Sequence, residues 1–163
     1  MKLRDRVRDV RMIKNLLRGA EEEARRAGDA LPGPEHLLLS AIALDDGSAR
    51  RAFQRVGADA GALRDAIARQ HDDALRSVGI EPPDLEDAAP GDAPKGAFRS
   101  TAPARTAFRA ASDMARSGGG GLLGAHVVAA VADLEHGTAA RSLAAMGVDR
   151  EALAAAARDE AGL

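Results

Sequence analysis

The sequence predicts an all-α protein in which two tandem four-helix repeats form one pseudo-two-fold eight-helix domain. Three observations carry that prediction. The first is an internal duplication: the stretch 33–57 returns at 123–147, offset by about 90 positions. This matches His36 with His126, Leu44 with Leu134, Gly47 with Gly137, Ala49 with Ala139, Arg51 with Arg141 and Gly57 with Gly147. The match continues without a gap, pairing Asp59 with Asp149 and Leu63 with Leu153 downstream, and Ala20 with Ala110, Arg26 with Arg116 and Gly28 with Gly118 upstream. The second is composition. Of 163 residues 45% are apolar, yet Ala and Leu supply most of them and the only aromatics are three Phe. β-Branched and aromatic side chains are too few for a sheet, and small residues suit closely packed helices. The third is spacing, because apolar residues recur every three or four positions.

In the first repeat a helix is expected over about 3–27, with Leu3, Val7, Val10, Ile13, Leu17, Ala20, Ala24 and Ala27 on its inner face and Gly28 as its stop. Its outer face carries Glu21, Glu22, Arg25 and Arg26 at spacings that support i to i+4 pairs. Gly33 and Pro34 read as N-cap and first helical position, with Glu35 at the positive end of the helix dipole. The helix beginning there, HLLLSAIAL, is apolar nearly all round and should be buried. Asp45, Asp46 and Gly47 break it. A short helix from Ser48 to Val56 closes at Gly57, and Asp59 caps a fourth with Leu63, Ile67 and Ala74 facing inward.

Residues 79–99 change character. Four prolines, several acids and three glycines exclude a continuous helix and mark a linker, on which Leu85 and Phe98 remain able to dock. The domain organisation is thus one domain over 1–163: repeat one at 1–78, linker at 79–99, repeat two at 100–163. The second repeat reads as a helix capped by Ser100 or Thr101 running to Ser117, the turn Gly118 to Gly121, a buried helix from Ala125 to Glu135, a Thr138-capped helix to Met146 and an Asp149-capped final helix. Each repeat holds one helix too apolar to be covered by its own partners, so the two repeats should cover each other.

Charge and composition exclude several function classes. Net charge is −2, and acids and bases interleave, which argues against nucleic acid and anionic membranes as partners. The Arg-rich opening reads as a solvated helix face. Absence of cysteine removes disulfide and thiol chemistry. No apolar run approaches the roughly 18 residues of a membrane span, and the first residues lack a signal-peptide apolar stretch, so a soluble, cytoplasmic protein is expected.

No catalytic or metal constellation is expected. His36 and His126 occupy equivalent positions one turn into the buried helices and lack a second His or Cys at i+3 or i+4, which points to hydrogen-bonded structural histidines. His71, Asp72 and Asp73 are adjacent on a helix end, where neighbours diverge into solvent, and His136 sits at a helix C-terminus. No nucleophile elbow or phosphate-binding loop is present, and the four-glycine run lacks a preceding strand and a lysine. No catalytic residue, metal ligand or cofactor is assigned.

The order EEARRAG, then PGPEHLLLSAI, then DGSARRAFQRVGAD, then a capped helix with Leu63 at its fifth position resembles the Clp N-terminal repeat domain, the double four-helix module at the front of Clp ATPase unfoldases. The first repeat carries the resemblance over about 13–69, and the second is a worn copy. The resemblance implies a non-enzymatic protein- or peptide-binding module, a substrate-recognition or adaptor component of Clp-dependent ATP-driven proteolysis, in a stand-alone form without the ATPase modules. Its partners would be a Clp unfoldase or that unfoldase's substrates and adaptors. Some family members hold phosphorylated arginine through a Glu and a Thr. Glu35 matches the first, and Ser100 or Thr101 lies where one Thr would be, whereas Ala125 and Val10 stand at the other two places. Glu35, Ser100 and Thr101 are therefore the candidate residues for a peptide or a phosphoarginine-like group, in a groove expected between the copies. The alternative reading is a free-standing decoy that sequesters small molecules or degron peptides. A hydrolase with an unrecognised site is the reading from the enzyme class.

Overall fold

Helix length and cover decide how the chain folds. A computed structural model describes residues 3–82 and 98–163, with side chains from residue 6 onward. Its helices are α1 (Leu3–Ala27), α2 (Pro34–Ala43), α3 (Ser48–Arg55), α4 (Leu63–Ser77), α5 (Ala102–Ser117), α6 (Gly124–Ala132), α7 (Thr138–Ala145) and α8 (Arg150–Ala161), with no strand among the described residues. The protein is all-α, with four helices in each repeat, as expected. Most of the predicted linker, residues 83–97 with Leu85, lies outside the described residues; Phe98 is half-buried.

Most helix starts are where side-chain chemistry puts them. Gly33 is the N-cap of α2, with Pro34 at its first position. The Thr101 hydroxyl accepts the Ala104 N–H, and Asp149 accepts from Glu151 and Ala152. Three details differ from the sequence reading. Asp59 caps a single 3-10 turn at Ala60–Ala62 that feeds into α4. Gly137, at φ +100°, precedes α7, so Thr138 is its first residue and not its cap. Helix α6 ends at Ala132 and not Glu135, and Arg150 donates to the carbonyls of Ala132 and Leu134 at that end.

The inner face of α1 also begins later than its periodicity suggests. Leu16, Ala20 and Ala24 are buried, whereas Val7 and Val10 are 63% and 66% exposed. At about 1.5 Å per residue, the 25 residues of α1 outreach the 10 of α2 beneath it, and the first turns overhang. Ala74 is exposed as well.

Helices α2 and α6 cross at the centre, each buried along most of its length. The exchanged pairs then follow: α3 packs on α8 and α4 on α7, so that exchanging the copies maps one contact onto the other. A single hydrophobic core includes Leu16, Leu37, Phe53 and Leu63 from repeat one and Val127, Val131, Leu143 and Leu153 from repeat two. Close approach depends on missing side chains. A Cβ on Gly124 would lie 3.0 Å from the Ala41 carbonyl, and one on Gly19 would lie within contact of the Ser40 hydroxyl, which donates to the Leu16 carbonyl at 2.7 Å.

Polar contacts pin the repeats together. The Ser48 hydroxyl accepts the Ala125 N–H at 2.8 Å and donates to Asp46, whose carboxylate accepts the Gly124 N–H at 3.1 Å. The first residues of α6 are thus capped by the other repeat. The Thr101 N–H donates to the Pro32 carbonyl at 3.0 Å, and Asp9 accepts the Leu122 N–H at 2.7 Å. Glu160 accepts from Arg51 and Arg55 of the other repeat, and the Arg51 hydrogen bond above all holds its carboxyl below the ordinary range.

The structure corrects the gapless register upstream of α2. Buried positions pair Leu16 with Ala107, Ala20 with Ala111 and Ala24 with Ala115, one residue beyond the offset of about 90 that relates α2 to α6. The left-handed residue ending α1 is Gly28 at φ +77°, and its counterpart after α5 is Gly119 at +71°, not Gly118. The glycine turn is therefore one residue shorter than its copy-one equivalent.

Two substitutions test this packing by denaturant titration. Gly19→Val should cost about 1–3 kcal/mol through overpacking against Ser40, and adding Ser40→Ala should recover part of it; additive effects of the two changes would contradict the close crossing. Ser48→Ala should cost about 1–2 kcal/mol by uncapping α6, and a loss within 0.3 kcal/mol, roughly measurement error, would contradict the cap.

Candidate functional site

A difference in side-chain size between α4 and α8 leaves α4 farther from α2 than α8 is from α6. In repeat two α8 lies extensively along α6, presenting Ala154, Ala156 and Ala157. Their copy-one counterparts are Arg64, Ala66 and Ile67, and α4 meets α2 only sparsely. The space left among the end of α1, the first half of α2 and α4 is a cleft of about 690 Å³.

Its walls are of two kinds. Leu31, Leu39, Ile67 and Ala68 supply apolar surface. Charge comes from Glu23, Arg26 and Asp29 at the end of α1 and its turn, Glu35 at the head of α2, and Arg64, Asp65, His71 and Asp72 along α4. Thr101 and Thr138 from repeat two complete the rim. Arg64 reaches from α4 to Glu23 at 2.5 Å, and Arg26 reaches the same carboxylate at 3.4 Å. Both arginines are more than half exposed, so each pair contributes about 0–1 kcal/mol at most.

His36 is 1% exposed at the head of α2, and its Nδ1 accepts the Gly33 N–H at 2.9 Å. His126 repeats the arrangement with the Leu123 N–H at 3.0 Å. Each histidine thereby caps its own helix, the structural role expected of the pair. The Nε2 of His36 lies 3.3 Å from Asp29 Oδ2 but makes no hydrogen bond. Asp29, Glu35 and His36 bring ligand-type atoms within 4.8 Å of one another, a convergence that lone-histidine spacing did not suggest. The tautomer argues against a metal there. A ring nitrogen that accepts an N–H carries no proton, so the neutral ring has its proton on Nε2, and neither nitrogen has a free lone pair.

Of the three residues singled out in the sequence, Glu35 and Thr101 both line the cleft. Ser100 does not: it is 4% exposed, and its hydroxyl has no hydrogen-bond partner. The cleft lies mainly within repeat one, roofed at its rim by repeat two, and not in a groove between equal halves. His71 and Asp72, expected to diverge into solvent, both lie on the α4 wall, while Asp73 turns away to Arg76. Asp29, Leu31, Arg64 and Ile67 were missed; the available signal was the contrast between Arg64 and Ile67 in one copy and Ala154 and Ala157 in the other.

A hollow near the head of α6 measures about 440 Å³ and is lined by Arg8, Asp9, Met12, the glycine turn and His126. Ala125 stands for Glu35, Ala155 for Asp65, Ala161 for His71 and Gly162 for Asp72. Its one wall carboxylate, Asp9, is tied to the Leu122 N–H.

Fold and cleft together define a repeat-built helical domain with an open cleft at the head of a buried helix. Residues 11–89 match the family described as the Clp repeat (R) N-terminal domain. Two solved structures share the fold over nearly the whole chain. The Hsp104 N-terminal domain from Candida albicans superposes with a TM-score of 0.61 at 14% identity, covering 90% of this chain and 87% of its own. A chain from a malarial protein secretion system gives a TM-score of 0.61 at 19% identity, covering 91% and 90%. No curated protein matches the chain. No helix among the described residues is long and apolar enough to cross a membrane.

Burial pushes the His126 pKa below its ordinary value of 6.5, against the opposing pull of Asp46. The folded ring then takes up a proton less readily than the unfolded one, so its contribution to stability is complete above about pH 6.5 and is lost as pH falls through the folded pKa. Unfolding free energy measured across that window should decline with acid, and His126→Gln should flatten the decline; an unchanged slope in the variant would refute the assignment.

Proposed function

We propose that residues 1–163 work as one non-catalytic domain that holds protein or peptide segments in the repeat-one cleft, as a substrate-recognition or adaptor component of Clp-dependent proteolysis. The observation that carries this reading is the cleft itself: an apolar floor, Glu35 and Thr101 on its walls, and a position at the head of the buried helix in a Clp repeat. Apolar surface edged by a few polar groups suits side chains of a bound segment. The family that residues 11–89 match supports a link to Clp and Hsp100 chaperones.

A peptide is favoured over a phosphoarginine-like group. Both arginines on the cleft wall are engaged with Glu23, and Ala125 and Val10 leave the second half of the phosphoarginine constellation empty.

Titrating the full chain with an unfolded model substrate should shift amide resonances over 31–39 and 64–72. Glu35→Lys should weaken that binding about tenfold while the helical circular dichroism is kept. Shifts confined to other faces would overturn the site. Immobilised protein should retain a purified Clp unfoldase in the presence of ATP; recovery of peptides without unfoldase would replace the adaptor role by sequestration.

A further inference from the structure

We infer that the repeat-one cleft is a single receptor for a peptide segment bearing an unmodified basic side chain, arginine or lysine, beside an apolar residue. The inference rests on the peptide-binding reading above and specifies its ligand. Of the five carboxylates on the cleft walls, Glu23 is the one that pairs with arginine among the described residues. Asp29, Glu35, Asp65 and Asp72 have no arginine or lysine partner there, and they stand beside an apolar floor that includes Leu39 and Ile67. A buried donor supplies the second observation. The Nε2 of His36, in a side chain 1% exposed on the same wall, carries the proton left to it by the Gly33 hydrogen bond and has no hydrogen-bond partner.

Those features fit one chemistry. A guanidinium or ammonium on an aliphatic stem meets the carboxylates at its tip and the apolar floor along its length. The next apolar side chain extends that contact, and the buried Nε2–H, 3.3 Å from Asp29 Oδ2, backs a carboxylate that the basic tip engages. A phosphate on the basic group would turn its end anionic, against wall carboxylates with no spare arginine to offset them. In repeat two the places of Glu35, Asp65 and Asp72 are taken by Ala125, Ala155 and Gly162, so the stoichiometry is one segment per chain although the fold is repeated.

Isothermal titration of the full chain separates the outcomes, using a short peptide with an Arg-Leu pair, the same peptide with Gln for Arg, and the same peptide phosphorylated on Arg. The Arg peptide should bind at one per chain, weaken with added salt, and lose about fivefold to tenfold in affinity on Glu35→Gln or Asp29→Asn. The Gln and phosphorylated peptides should bind about tenfold more weakly or worse. Arg8→Gln, at an exposed position in the other hollow, should change nothing. Equal binding of the Gln peptide at the cleft would overturn the charge requirement while leaving peptide binding standing. Tighter binding of the phosphorylated peptide, or two equivalents per chain, would overturn the inference as stated. Failure of all three peptides and of the unfolded substrate to bind would remove the peptide reading along with it.

Discussion

Burial of two helices that are apolar on every side is the constraint from which the rest follows. Helix α2 has Leu37, Leu38, Leu39 and Ala41 within it, and α6 is buried from Gly124 to Ala132. Neither can be covered by the helices of its own repeat, so each is laid against the other and against exchanged partners, α3 on α8 and α7 on α4. That geometry forces polar helix ends into the interior. The chain answers with caps drawn from two sources: a histidine from the same helix, and the Asp46 and Ser48 pair from the other repeat.

The same pseudo-symmetry shows where the copies have parted. Alanines at 154, 156 and 157 let α8 close on α6, and the hollow at its head holds no free acid. In repeat one, Ile67 and Arg64 keep α4 away from α2, and the space between is lined by carboxylates and apolar side chains. A binding cleft in one of two repeats is therefore a packing result before it is a chemical one. The buried volume difference between isoleucine and alanine sets how near two helices come.

The cleft is also held open by structure that does not depend on a ligand. Arg64 ties α4 to Glu23 of α1 across it, and the Thr101 N–H fastens the head of α5 to the Pro32 carbonyl beside Glu35. His36 holds the turn at Gly33 from within. A site on such supports presents its carboxylates in fixed positions, which lowers the ordering cost of binding.

The sequence by itself determined the fold class, the duplication, most helix starts and the likeness to Clp repeats, because spacing, capping residues and the matched glycines are local features. It also singled out Glu35 and Thr101, through their match to a motif. What it left undetermined was distance. The one-residue shortening at Gly118 to Gly121 was hidden because glycine matches glycine in either register, and only burial and the left-handed Gly119 reveal it. The exposure of Val7 and Val10 depends on α2 being too short to reach them. The partnership of Asp29, Glu35, Arg64 and Asp72 around one space joins residues from three helices and their turns. The approach of α4 to α2 was decided by side chains on both helices meeting in three dimensions, and no periodicity within either helix encodes the gap between them.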